Sequence, residues 1–161
     1  MAETIHELSA SSGRRVFGVG VLSFLGLLLL RMGLMGGGPG LLDLVVLAMG
    51  VIALVAAWIM YRATMRSIIL TEEALVDSEG VVLARLDDIL TVDRGTFAFK
   101  PSNGFLIRTT KGGPRLWQPG LYWRFGRRIG VGGITRAAEA KLMADLITVK
   151  LAERAAEEAG A

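Results

Sequence analysis

Residues 16–61 read VFGVGVLSFLGLLLLRMGLMGGGPGLLDLVVLAMGVIALVAAWIMY, and this stretch decides the architecture. Val16 to Leu30 is fifteen residues without a charge; Arg31 follows, then Met-Gly-Leu-Met. Fifteen helical residues rise about 22 Å, short of a hydrocarbon core of about 30 Å. If Arg31 snorkels toward the headgroups, the helix runs to Met35 and is long enough to span. Leu44 to Tyr61 is eighteen uncharged residues, preceded by Asp43 and closed by Arg62. Trp58 and Tyr61 stand at its end, where aromatic side chains suit a membrane–water interface. Gly36-Gly37-Gly38-Pro39-Gly40 between the runs reads as a tight turn. The expectation is a two-helix transmembrane hairpin over residues 14–65, after a polar N-terminal tail at 1–13.

Composition agrees with a chain of two kinds of material. Its 161 residues are 52% hydrophobic and 20% charged, with a mean hydropathy of +0.51. That is too apolar for an ordinary soluble domain and too charged for membrane spans alone. Residues 35–61 hold a single charge, Asp43, whereas 62–134 hold eleven basic and seven acidic groups. Arg14 and Arg15 precede the first run and Arg62 and Arg66 follow the second, while the turn is flanked only by Arg31 and Asp43. The positive-inside bias then puts both termini in the cytoplasm, with the protein multi-pass in the membrane. Gly13-Arg14-Arg15-Val16-Phe17 also looks like a twin-arginine export signal. No small-x-small cleavage site follows it, and a second spanning run comes at once, which favours the anchor.

From Met65 the texture changes to short β-rich runs broken by turn residues. Ser67–Leu70, Ala74–Asp77, Val81–Ala84, Ile89–Val92, Thr96–Phe99 and Phe105–Thr109 read as strands, with Leu121–Arg124 and Ile129–Val131 as two more. Pro101-Ser102-Asn103-Gly104 and Lys111-Gly112-Gly113-Pro114 read as turns. The last segment is helical. Thr135 is a candidate N-cap, and Leu142, Leu146 and Val149, with Met143 and Ile147 alongside, form an apolar stripe. Residues 66–152 make one small domain, and 153–161 a flexible, alanine-rich tail. The fold class is α+β: a transmembrane hairpin, then a mainly antiparallel β domain closed by a C-terminal helix.

The run IILTEEALVDSEGVVLARLDDILTV, residues 68–92, together with the two preceding apolar helices, resembles the bacterial membrane-anchored pleckstrin-homology-like (PH-like) domain proteins. Ile69-Leu70-Thr71-Glu72-Glu73-Ala74-Leu75 is similar to the family's first hairpin. Leu86-Asp87-Asp88-Ile89-Leu90-Thr91-Val92 is similar to a step of polar pair, isoleucine and strand, and the terminal helix to its closing helix. The likeness covers roughly residues 16–150 and implies a PH-like fold with no catalytic motif. Trp117-Gln118-Pro119-Gly120-Leu121-Tyr122-Trp123 departs from that pattern.

The sharpest functional signal is charge segregation. Between Arg94 and Ile134 there is no acidic residue, but eight basic ones: Arg94, Lys100, Arg108, Lys111, Arg115, Arg124, Arg127 and Arg128. Trp117, Tyr122, Trp123 and Phe125 lie among them. A basic surface beside an anionic leaflet gains about 1 kcal/mol per Lys or Arg. Lys111, Arg115, Trp117, Trp123, Arg124, Arg127 and Arg128 are therefore the candidate contacts to anionic lipid or an acidic partner. Strand alternation and internal ion pairing both work against a single continuous face. Gly50, Ala53 and Ala57 put small residues on one side of the second helix. They are a candidate helix–helix docking face, either within the hairpin or toward another membrane subunit.

Several chemistries are excluded. There is no Cys, so no disulfide, thiolate nucleophile or Cys-ligated metal. One His, His6, cannot make a multi-His site. Ile129-Gly130-Val131-Gly132-Gly133-Ile134-Thr135 could present amides to a phosphate, but lacks the third glycine of the dinucleotide fingerprint and the Gly-Lys-Ser/Thr ending of the phosphate loop. Adjacent Asp87 and Asp88 would face opposite sides of a strand and so would not converge for acid–base work. Despite a pI of about 9.7, no recognition helix argues for nucleic acid. The reading is a non-enzymatic protein without cofactor or small-molecule substrate. It binds membrane lipids or another membrane protein. The alternative is an accessory or assembly subunit of a larger respiratory, photosynthetic or transport complex of the inner membrane.

Overall fold

The computed structural model describes residues 4–36, 40–95 and 101–160. The expected strand at Thr96–Phe99, Lys100, and residues 37–39 of the glycine turn lie outside the described residues. The chain forms two units, one comprising Ser12–Ala63 and the other the remainder on both sides of it.

The first unit is a pair of helices, α1 (Ser12–Met35) and α2 (Leu41–Ala63). At 24 and 23 residues, each reaches about 35 Å and is long and apolar enough to cross a membrane. The packing is inside-out relative to a soluble helix pair. Glycine and alanine are buried at the seam (Gly26, Gly33, Gly50 and Ala57), while Phe17, Phe24, Leu34, Leu44 and Ile52 point outward. A Cβ on Gly26 would lie 2.7 Å from Leu54 Cγ and 3.1 Å from the Gly50 carbonyl; one on Gly50 would lie 3.0 Å from the Gly26 carbonyl. Gly26 and Gly50 thus let the two backbones approach directly.

The second unit is a β lobe with a closing helix. Its first strand, β1 (Thr4–Ser9), comes before the helices, and β2 (Ser67–Thr71) comes after them. The two pair antiparallel, Ser9 opposite Ser67 and Leu8 opposite Ile68. This corrects the expectation of a polar tail at 1–13: Leu8 is fully buried, and the strand completes the sheet. The helix pair is therefore an insertion between two neighbouring strands. β3 (Ala74–Asp77) and β4 (Val82–Arg85) finish a four-stranded sheet in the order β1-β2-β3-β4. A 3-10 turn at Leu86–Asp88 leads to β5 (Ile89–Asp93), which with β6 (Phe105–Gln118) and β7 (Tyr122–Val131) makes a three-stranded antiparallel sheet.

Helix α3 (Ala137–Gly160) packs against β1, β5 and β6. Of the anticipated stripe it buries Met143 and Ile147 fully and packs Leu146 partly against the core, and Ala140 and Ala144 are buried beside them. Leu142 and Val149 are about half exposed. The two alanines bring the helix close to the sheets, and Met143 and Ile147 fill the core with Leu8, Leu70, Leu75, Phe105, Ile107 and Ile129. The helix runs unbroken through the stretch expected to be a flexible tail. Lys150 pairs with Glu72, and Arg154 donates to the Leu86 carbonyl, which tie that half to the lobe. Thr135 stands in a bridge with Ala10, and its hydroxyl donates to the Asn103 carbonyl.

Candidate functional site

Strands β6 and β7 carry almost all of the candidate residues. Their turn is Gln118-Pro119-Gly120-Leu121. Proline supplies φ at the second position, Gly120 takes φ +86° at the third, and the Leu121 amide donates to the Gln118 carbonyl at 3.0 Å, a type II turn. The Lys111-Gly112-Gly113-Pro114 motif, expected to end a strand, sits inside β6 instead. Arg108 faces Arg128 and Gly113 faces Gly126, so residues 109–112 oppose Arg127 alone. The turn signal is spent as a wide bulge, with Gly126 at φ +60° opposite it. This also fuses the two short strands expected at 121–131 into one.

The bulge bends the hairpin and sorts its side chains. Trp117 faces Trp123 across the strands, Trp123 contacts Phe125 at 5.4 Å between ring centroids, and the Arg115 guanidinium sits 5.3 Å over the Phe125 ring. Trp117 is 64% exposed and Phe125 45%. Beyond the bulge Arg108 and Arg128 stand opposite one another, both exposed. The Trp123 indole lies against Gly130, where any side chain would collide with it. Six residues thus share one outer face: Arg108, Arg115, Trp117, Trp123, Phe125 and Arg128.

Not every candidate belongs to it. Arg124 is buried, and its guanidinium donates to the carbonyls of Leu83, Lys111 and Gly126. It joins the edge of β4 to the bulge and is withdrawn from the face. Lys111 is exposed on the bulge and pairs with Asp88 at 3.4 Å. Arg94 pairs with Asp145. Arg127 is exposed at the bulge. Among the described residues, Arg108, Arg115, Arg127 and Arg128 have no carboxylate partner. Arg108 and Phe125 were in the basic, aromatic segment of the sequence but not among the residues singled out. Only the cross-strand register selects them.

The glycine segment before α3 does not present amides to a ligand. The Gly132 amide donates to Leu121, Gly133 to Ser102 and Ile134 to Gly120, at 2.7 to 3.0 Å. The segment is a tight junction. Asp87 and Asp88 are likewise structural, holding Arg154 and Lys111. Gly50 and Ala57 are buried against α1 and Ala53 is half-buried, so that docking face is used inside the hairpin.

Tyr122, next to Trp123 on β7, belongs to a buried polar network. Asp77 accepts from Arg66 Nη1 at 3.0 Å, Tyr122 OH at 2.8 Å and the amides of Glu79 and Val81 at 2.9 Å. Burial pushes its carboxyl up, but the Val81 amide, the Tyr122 hydroxyl and the Arg66 guanidinium outweigh that and hold it below the usual carboxylate range. Burial and the neighbouring carboxylate raise the Tyr122 phenol far above its ordinary value, so it stays a donor.

The two places where the lobe's chain passes to the helices lie beside the β6–β7 turn. The Ser11 amide donates to Ile134, the Ile134 amide donates to Gly120, and Thr64 packs within reach of a Cβ at Gly120. The chain matches no known protein family, no curated protein and no solved structure.

Proposed function

We propose that the chain is a multi-pass protein of the bacterial inner membrane, anchored by α1 and α2. Its lobe, on the cytoplasmic side, is a PH-like, non-catalytic module that binds anionic lipid headgroups. Small residues at the seam with large apolar side chains outside suit helices solvated by lipid. The series of four strands, three strands and a closing helix supports the PH-like reading. Insertion of the hairpin between β1 and β2 returns the chain to the side it left, in keeping with the arginines at 14, 15, 62 and 66.

The observation that carries the lipid reading is the outer face of β6–β7. It combines arginines that have no carboxylate partner among the described residues with exposed indole and phenyl rings, and it starts beside the turn next to Ser11 and Thr64. Aromatic rings suit the interfacial layer and guanidinium groups suit the phosphates. The alternative, an accessory subunit of a larger complex, would have to dock through the lobe surface, since Gly50 and Ala57 are buried within the hairpin.

The test uses the full chain with Trp58→Phe, so that only lobe tryptophans report. It is reconstituted in nanodiscs containing headgroup-spin-labelled lipid. Quenching of Trp117 and Trp123 should rise with the fraction of phosphatidylglycerol and fall with salt, because surface charge is screened within about 8 Å at physiological ionic strength. Quenching indifferent to both would end the lipid reading.

A further inference from the structure

Resting on the lipid-surface reading, we propose that Arg108 and Arg128 clamp a phosphomonoester lipid headgroup of the phosphatidate type. The two stand directly opposite on β6 and β7, both exposed. Like charges at facing positions destabilise a strand pair. Among the described residues no carboxylate relieves this one, and the nearby Asp88 is held by Lys111 and Thr110. Thr91 of β5 is the partner of Arg108 on its other side and is also exposed. One row across three strands therefore offers a hydroxyl and two guanidinium forks, each fork suited to two-point contact with phosphate oxygens.

The charge on that row selects the ligand. A phosphomonoester carries about −1.5 to −2 at pH 7 on three terminal oxygens, enough for both forks and the hydroxyl. A phosphodiester carries one charge on two free oxygens and leaves one arginine uncompensated. The Trp123 indole lies against Gly130, two residues beyond Arg128 on β7, and its cross-strand partner Trp117 adjoins the turn beside Ser11 and Thr64. That continuity makes a lipid, rather than a soluble phosphate, the occupant.

The experiment compares nanodiscs matched in surface charge, one doped with phosphatidate and one with phosphatidylglycerol, using full-length Trp58→Phe protein and the quenching readout. Phosphatidate should dock the lobe about tenfold more tightly. Arg108→Gln with Arg128→Gln should abolish that preference. Arg115→Gln with Arg127→Gln removes equal charge and should weaken both lipids alike. Arg108→Lys with Arg128→Lys keeps the charge but loses the forks, and should retain docking without the preference. Thermal unfolding at or above the parent's midpoint shows that each variant is folded, and relief of the facing charges should raise it for Arg108→Gln with Arg128→Gln. Equal docking on the two lipids by the parent overturns the clamp, as does a preference that survives Arg108→Gln with Arg128→Gln. Displacement by soluble glycerol 3-phosphate at comparable concentration overturns the lipid as the source. Docking on neither disc is a different result, and refutes the lipid-surface reading itself.

Discussion

Removing the Asp77 carboxylate should be among the most damaging single changes in the lobe. Asp77→Ala strands the Tyr122 hydroxyl, the Arg66 guanidinium and the amides of Glu79 and Val81, all of which now donate to it. The Asp77 side chain is fully buried, and Arg66 keeps a second partner, Glu79, at 2.7 Å. Deleting one partner of a buried, hydrogen-bonded charge pair costs about 3–5 kcal/mol. Asp77→Asn preserves the carbonyl that receives the two amides but turns an amide toward Arg66, and should cost about 2 kcal/mol. At roughly 4 °C per kcal/mol for a lobe of this size, Asp77→Ala lowers the midpoint by about 12–20 °C. Near-ultraviolet circular dichroism of the detergent-solubilised chain reads this transition. The sign with pH follows from the depressed carboxyl. Its stabilisation is fully present above the unfolded value of about 3.9 and is lost as pH falls through the lower folded value. The gap between parent and Asp77→Asn should therefore be constant from neutrality to about pH 4.5 and close below it. A loss under about 0.5 kcal/mol for Asp77→Ala, the size expected of a surface change, would refute the reasoning. So would a gap that stays flat far into acid.

Other consequences can be checked alongside it. Leu8→Ala empties a fully buried position in β1 and should destabilise the lobe by about 2–5 kcal/mol, measured by the same unfolding; no change would mean that the N-terminal segment is a tail after all. Gly26→Leu forces a side chain into Leu54 and the Gly50 carbonyl and should part α1 from α2. Reduced cross-linking between cysteines placed at Leu30 and Val51 would register it. Arg124→Met leaves the Leu83 carbonyl without its donor and should cost about 1–3 kcal/mol while lipid docking, compared below the melting temperature, is unchanged.

Much of the lobe was legible because local chemistry decided it. Ala74–Asp77 was placed to the residue, and Ser67–Leu70 and Ile89–Val92 each stop one residue short of the observed strand. The helix pair was legible from its uncharged runs, although α1 extends back through Arg14 and Arg15. What escaped depended on partners distant in sequence. β1 has the composition of a tail, and only β2, more than fifty residues on, makes it a strand. Lys111-Gly112-Gly113-Pro114 has the chemistry of a reversal, yet β7 continues opposite it and converts it into a bulge. The apolar stripe of α3 was legible in Met143 and Ile147, but its centre is turned toward Ala140 and Ala144, whose small side chains let the helix sit close, leaving Leu142 and Val149 half exposed. The site was legible as a charge pattern only. Which arginines face outward depends on a register shifted by the bulge, and Arg124, alike in sequence, is turned inward by three carbonyls.

Splitting the lobe's first sheet around the helices has a biosynthetic consequence. On the ribosome β1 emerges first and has nothing to pair with until the whole hairpin and then β2 have been made. The first strand must wait, without its neighbour, until α1 and α2 have both been synthesised. On the proposed membrane-spanning reading, a hairpin that inserted only one helix would hold β1 and β2 on opposite sides of a bilayer. Completion of the sheet would then be denied to molecules in which the two helices part company.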